Sequence, residues 1–369
     1  MKEVPLISTS ELSIGYKHRN KEPTIVSKNL NLSLMPGELV CLIGPNGAGK
    51  STLIRTLIGM QSCISGDIHL AGKLLNDFNA IEKARVLSVV LTSQISVSHF
   101  KASDIVALGR YPYTGWSGTL SEKDKEMVSY SLTAVGASEL SSRYVSELSD
   151  GEKQKVMIAR GLAQDPSVLV LDEPTAFLDL PHKIEIMRIL KSLSRHPGRA
   201  VLLSIHDLDI AMRTADKIWL FNKHGDFYSG APEDLILKGV FGSAFEMGGV
   251  HFDKKKGTFI ISPEKKGTVS LIGGNNTEFI WTSHALERAG YNICTDTNTD
   301  ITIEIQDRKG DTCWQYMDNT CEHDFFSIGD MIQFLCKGHK NSVDQQRSSD
   351  ELMYLEFGKR TFPEVQRTW

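Results

Sequence analysis

The segment Gly44-Pro45-Asn46-Gly47-Ala48-Gly49-Lys50-Ser51-Thr52, entered from the short apolar run Leu39–Ile43, constrains the fold more than any other part of the chain. It is a phosphate-binding loop, and its fixed positions have physical roles. The glycines let successive backbone N–H groups curl round phosphate oxygens at a helix start, where the helix dipole favours negative charge. Lys50 sets a positive charge against β- and γ-phosphates, and Ser51 offers an oxygen to Mg2+. A buried strand must precede such a loop and a helix must follow it. Lys50 to Ile58 reads as that helix, which makes the fold α/β.

The surrounding pattern agrees. Val86–Leu91, Val168–Leu171, Ala200–Ile205 and Ile218–Phe221 are apolar runs of buried-strand length, mostly separated by helical segments. A largely parallel sheet with helices on its faces produces that alternation. From about 94 to 163 the character changes to helices and turns, read as a helical insert on a domain spanning 1–250. Within the insert, Gly109 to Gly115 reads as a loop, and Ser121 with Asp124 marks a helix start running to Val135. A linker-like stretch follows at 251–267, with solvated turns between two short strands around Lys254-Lys255-Lys256 and Lys265-Lys266.

Residues 268–338 form a small α/β module of their own. Thr268–Ile272 is a strand ending in Gly273-Gly274, a turn that could bind a small anion or nucleotide or serve packing or dimerisation. Thr277 to Ala289 is a helix with Phe279, Ile280, Leu286 and Ala289 on one side, stopped by Gly290. Tyr291–Cys294 and Ile301–Ile305 are strands, Arg308 to Asp311 a turn, and Ser327 opens a last helix. Residues 339–369 are a polar tail.

Composition narrows the function. Across 369 residues the formal net charge is −4, which argues against nucleic acid as a partner. No stretch reaches the roughly 18–20 apolar residues of a membrane span, and Met1 to Ser10 lacks the apolar run of a secretion signal. The chain is therefore expected to be cytosolic, meeting a membrane only through partners. Six cysteines show no short-range pairing, and Cys313, Cys321 and His323 match no common zinc spacing.

Two more motifs carry chemistry. Val168 to Glu173 is a strand ending in two carboxylates: Asp172 is suited to holding Mg2+ through water, and Glu173, pointing elsewhere, to polarising an attacking water as general base. Just upstream, Leu148-Ser149-Asp150-Gly151-Glu152 places a serine and a glycine before a helix opening at Glu152, an anion-binding helix start.

In this order and spacing, the three motifs resemble those of ATP-binding cassette (ABC) ATPases over roughly residues 6–250. The resemblance implies a P-loop NTPase fold with a helical subdomain, ATP and Mg2+ as ligands, and a homodimer with ATP at its interface. Ser149 and Gly151 would then cap the γ-phosphate held by the partner's loop, and Asp179 would lie at the dimer seam. Tyr16 would stack on adenine. Gln94 would touch Mg2+ and the attacking water and link to the membrane partner, and His206 would sense the γ-phosphate. Catalysis would rest on Glu173, His206, Gln94 and Lys50, and the metal on Ser51, Gln94 and Asp172. Two departures stand out: Asp150 replaces the usual glycine and is expected to point away from nucleotide, and Leu91-Thr92-Ser93 before Gln94 lacks the usual Leu-Pro.

Val106-Ala107-Leu108-Gly109-Arg110-Tyr111-Pro112-Tyr113 and Asp179-Leu180-Pro181-His182 narrow the resemblance to importers of ferric siderophores, haem and cobalamin. That implies a peripheral subunit on the cytoplasmic face of the membrane, paired with two multi-span permease subunits and, indirectly, a substrate-binding protein. The ATPase of an exporter or of another ABC transporter is the alternative. One cassette without a long coiled coil fits neither a ribosome-acting nor a DNA-repair ABC protein.

Overall fold

The computed structural model describes residues 4–337 apart from 20, 92–98, 117, 246–249, 255–256, 262–264, 296–298 and 309. The chain divides into two compact units, the first covering residues 1–247 and 252–259, the second residues 248–251 and the chain from 260 on.

The first unit opens with β1 (Ile7–Tyr16), β2 (Thr24–Leu30) and β3 (Ser33–Leu34), followed by β4 (Leu39–Ile43), α1 (Lys50–Leu57), β5 (Ser65–Leu70) and β6 (Lys73–Leu74). Next come α2 (Ala80–Val86), β7 (Leu87–Val90), α3 (Ala102–Ala107), α4 (Glu122–Ala134) and α5 (Asp150–Ala163). It continues with β8 (Val168–Leu171), α6 (Leu180–Ser194), β9 (Ala200–Ser204), α7 (Leu208–Thr214), β10 (Lys217–Phe221) and β11 (Phe227–Gly230). The helices α8 (Pro232–Leu237) and α9 (Val240–Phe245) precede the paired strands β12 (Val250–Asp253) and β13 (Thr258–Ile261).

The central sheet has the order β11-β10-β4-β9-β8-β7 and is parallel except at β11. Its inner strands are buried on both faces, which is why they read as unbroken apolar runs. Alternate residues serve two cores. Cys41, Ile43, Leu169, Leu171, Val201 and Leu203 face the core built with the helical insert, α6 and α7. Val40, Leu42, Val168, Val170 and Leu202 face α1 and the second, antiparallel sheet β2-β1-β5-β6.

Several boundaries differ from the sequence reading. Val86 closes α2 rather than opening a strand, because the capping box of Asn79 and Glu82 starts a helix that runs up to it. The segment read as a loop from Gly109 begins inside a 3-10 turn, Leu108–Arg110, and Arg110 is buried. The expected linker is packed in part: Phe252 is buried and stacks on Phe241 at 5.5 Å, and Phe259 lies 5.8 Å from Phe245.

In the second unit, β14 (Gly267–Gly273), α10 (Asn276–Ala289), β15 (Tyr291–Cys294), β16 (Ile301–Arg308), β17 (Asp311–Asp318) and β18 (Glu322–Phe325) precede α11 (328–337). The sheet order is β15-β14-β16-β17-β18, and its core joins Val269, Leu271, Leu286, Ile303, Trp314 and Met331. On α10, Leu286 is buried, but Ile280 is about half exposed, at 49%, together with Trp281. The buried stripe instead takes in Thr282, whose hydroxyl accepts from Trp314 Nε1 at 2.8 Å.

Arg110 fixes the helical insert. Its Nε donates to Asp124 Oδ1 at 2.8 Å and its Nη1 to the Ala163 carbonyl at 2.7 Å, and its guanidinium stacks 3.9 Å from the Tyr113 ring centre. Asp124 is also the third residue of α4, in a capping box with Ser121. A hydrogen bond from the Ser121 hydroxyl, then the Arg110 pairing, pulls the Asp124 carboxyl from its ordinary 3.8 down to about 2. A depressed carboxylate stabilises the fold above its unfolded pKa and loses that contribution as pH falls through its folded pKa. Asp124→Ala strands a buried guanidinium, so urea unfolding at neutral pH should show a loss of about 3 kcal/mol. The gap between wild type and variant should narrow between pH 4 and pH 2 (about the unfolded and folded values).

Candidate active site

The phosphate loop joins the end of β4 to the start of α1. Gly49, the N-cap of α1, has φ +108°, and a Cβ there would sit 2.4 Å from Val26 Cγ1. Glycine is required on both counts. Lys50 is buried, and its ammonium donates to the carbonyls of Gly44 (2.8 Å) and Pro45 (3.2 Å). Burial draws its pKa below the ordinary lysine value, against the opposing pull of the Glu173 and Asp172 carboxylates. Tyr16, at the end of β1, is half exposed, with its hydroxyl 3.0 Å from Thr52 Oγ1.

Both carboxylates follow β8, beside the end of β9. The Asp172 N–H donates to the Val90 carbonyl at 2.9 Å. Glu173 takes a left-handed backbone conformation, φ +49°, a strain of about 1–3 kcal/mol for a residue of this type. Its Oε1 lies 2.6 Å from His206 Nε2. Ser204 Oγ contacts both residues, at 2.6 Å from Asp172 Oδ1 and 2.8 Å from the Glu173 nitrogen.

Ser149, Gly151 and Asp179 belong to a second cluster. Ser149 is the N-cap of α5 and shares a capping box with Glu152, so the helix opens at Asp150, two residues earlier than the sequence suggests. Asp150 lies 3.6 Å from Lys153 Nζ and its side chain is exposed. Asp179 caps α6, and its Oδ1 is 2.5 Å from His182 Nδ1; that hydrogen bond, before any other influence, holds the Asp179 carboxyl below the usual range. The His182 ring also lies against Gly151, where a Cβ would come within 2.7 Å of it.

The chain matches the ABC transporter family over residues 27–176 and the iron ABC transporter C-terminal domain over residues 266–336. It is 37% identical over 274 residues to an uncharacterized ABC transporter ATP-binding protein of Methanocaldococcus jannaschii, covering 74% of this chain and 93% of that protein. The chain is an ABC transporter ATP-binding protein. The petrobactin import ATP-binding protein of Bacillus anthracis is 34% identical, with 71% of this chain and 94% of that protein covered. Among solved structures, the ATP-binding cassette MJ0796, a dimer in a post-hydrolysis state bound to ADP and Pi, superposes with a TM-score of 0.52 at 25% identity, covering 61% of this chain and 98% of that one.

Of the residues singled out in this ABC protein, Asp172, Glu173 and His206 meet in one cluster with Lys50 under the influence of both carboxylates. Pro45, Asn46, Gly47, Ala48 and Ser51 fill the loop between β4 and the first turn of α1. Gln94 lies outside the described residues. Sequence reasoning missed two contacts, those of Ser204 and His182. A polar residue closing the otherwise apolar run Ala200–Ser204 was the available signal for the first; the second had none, because it depends on how α5 and α6 pack.

Gly49→Ala should weaken Mg2+-free binding of a fluorescent ATP analogue by roughly tenfold or more. Adding Val26→Ala should recover only the part due to the side-chain clash, because the left-handed strain at position 49 persists.

Proposed function

We propose that this cassette is the ATP-hydrolysing subunit of an importer that takes up an iron complex (a ferric siderophore or haem) or a corrinoid across the cytoplasmic membrane. The observation that carries the reading is the joint match, in one chain, to the ABC transporter family and to the iron ABC transporter C-terminal domain. The petrobactin import relative supports the same cargo class.

The ligand set suits Mg2+. A serine hydroxyl from the loop and the Asp172 carboxylate, already oriented by a hydrogen bond, are hard oxygen donors. Ser51 and Asp172, with Gln94, would hold the ion, which when bound offsets phosphate charge. The remaining chemistry belongs to the chain. Loop N–H groups and Lys50 bind the β- and γ-phosphates, which take over the ammonium from the Gly44 and Pro45 carbonyls. Glu173 accepts the proton of the attacking water, and His206, bonded to the same carboxylate, fixes its direction and reports on the γ-phosphate. Tyr16 stacks on adenine.

Two copies act together in this reading, with Ser149 and Gly151 of each covering the ATP of the other and Asp179 at the seam. The exposure of Phe177 and Leu180 beside Asp179 supports a partner there. Exposed Leu108, Tyr111 and Trp116 on the helical insert supply an apolar surface for a permease subunit. No helix among the described residues is long and apolar enough to cross a membrane, so the cassette reaches the membrane face through two permease subunits.

Uptake of labelled ferric siderophore, haem and cobalamin, in cells carrying wild type or Glu173→Gln, tests the reading. Purified Glu173→Gln should bind ATP and dimerise while turnover falls about 10^2–10^4-fold. Cells carrying it should lose uptake of one cargo. Unchanged uptake of all three cargoes would overturn the importer assignment, and wild-type turnover would remove Glu173 from the role of base.

A further inference from the structure

Ser204 lies where the two halves of the chemistry meet. Strand β9 runs between β4, which leads into the phosphate loop, and β8, which leads into the carboxylates. Its first four residues, Ala200 to Leu203, are buried and apolar. Its last is a serine with no solvent exposure. A hydroxyl in such a place must find partners within the protein, and here it has two.

The donor and acceptor roles follow from chemistry alone. The Glu173 backbone N–H can only donate, so Ser204 Oγ accepts at 2.8 Å. The hydroxyl proton remains for Asp172 Oδ1, which accepts it at 2.6 Å, the short distance expected of a bond to a charged oxygen. One hydroxyl thus makes both bonds at once. The first holds the backbone of a residue in the left-handed region, where an unrestrained glutamate would tend to relax towards negative φ. The second fixes the rotation of a short carboxylate.

We propose that Ser204 is a positioning residue that registers the metal-holding carboxylate of Asp172 against the backbone that aims Glu173. The inference rests on the Mg2+ role proposed for Asp172. It goes further in giving a fully buried hydroxyl outside all three motifs control over both metal affinity and turnover. Removing the hydroxyl leaves the phosphate loop and Lys50 untouched, but takes one hydrogen bond from the Asp172 carboxylate and leaves the Glu173 N–H without this acceptor.

The test separates nucleotide binding from metal dependence. For Ser204→Ala, affinity for a fluorescent ATP analogue in EDTA should stay within about twofold of wild type. The enhancement of that affinity by Mg2+, and the binding of Mn2+ followed by electron paramagnetic resonance, should weaken about 10–100-fold, with a comparable fall in turnover. Ser204→Thr and Ser204→Val form a pair of nearly equal volume that differs in the hydroxyl. Thr should restore metal dependence and Val should behave like Ala, which a purely steric role would not produce.

Wild-type metal dependence in Ser204→Ala, or equal impairment of the Thr and Val variants, would overturn the proposal. Asp172→Asn, measured alongside, tells the two failures apart. If it is impaired while Ser204→Ala is not, only the positioning role fails. If neither changes, the metal role of Asp172 fails and this inference falls with it.

Discussion

Three parallel strands, β4, β9 and β8, end side by side, and the groups proposed to hold and cleave ATP hang from those ends. Crevices at the carboxyl ends of parallel strands are where open α/β sheets place ligands. Here the strands supply different parts: the Gly44–Thr52 loop, His206 and the acidic pair Asp172–Glu173. Their relative positions are set by backbone ladders such as Leu42 with Ser204 and Leu171 with Leu203, not by flexible loops. Burial on both faces gives those ladders their rigidity, because a close-packed interior has low compressibility. Strain at Glu173 is tolerable because the strands on which it rests cannot relax to relieve it.

The helical insert is held differently. Within it one buried cation, Arg110, satisfies a carboxylate on α4 and a carbonyl at the end of α5 together and so ties those helices to the 109–115 segment, while the apolar core joins the insert to the central sheet. A buried pair of this kind contributes less to net stability than to the uniqueness of an arrangement, since an alternative packing would leave the charge unpaired. The aromatic residues next to it in sequence, Tyr111 and Trp116, stay exposed. The same short segment therefore anchors the insert inwards and presents an apolar surface outwards.

What could be read from the sequence follows from how local each signal is. The phosphate loop, the capping box of Ser121 and the fully buried strand Val168–Leu171 are encoded within a few adjacent residues, and each appears in the structure where its residues place it. The antiparallel sheet was not legible. Strand β1 mixes threonine, serine and glutamate with its apolar residues, and its burial breaks alternation because irregular pairing with β2 and β5 shifts its register. β17 and β18 carry Asp, Gln, Glu and His and are recognisable as strands only through their pairing with β16 and each other. The contacts of Ser204 with Asp172 and of His182 with Gly151 are tertiary, joining residues about 30 positions apart. No local pattern contains such contacts.

The Gly273-Gly274 turn in the second unit shows why a motif of this kind must be read together with its neighbours. Its sequence suits an anion at the start of α10, yet the donors there are already engaged. Asn275 Oδ1 accepts from the N–H groups of Thr277 and Glu278, and the Glu278 carboxylate accepts from the Asn275 N–H and from the Thr312 hydroxyl. A carboxylate at a helix start gains from the dipole that a phosphate would use, and repels the phosphate as well. The glycines have a separate reason to be there, since a Cβ at position 273 would lie 2.4 Å from the Ile305 carbonyl oxygen. Close packing of β14 on β16 explains the turn without a ligand. The same comparison separates it from the loop at Gly49, where no carboxylate occupies the first turn of α1 and a buried lysine brings positive charge instead.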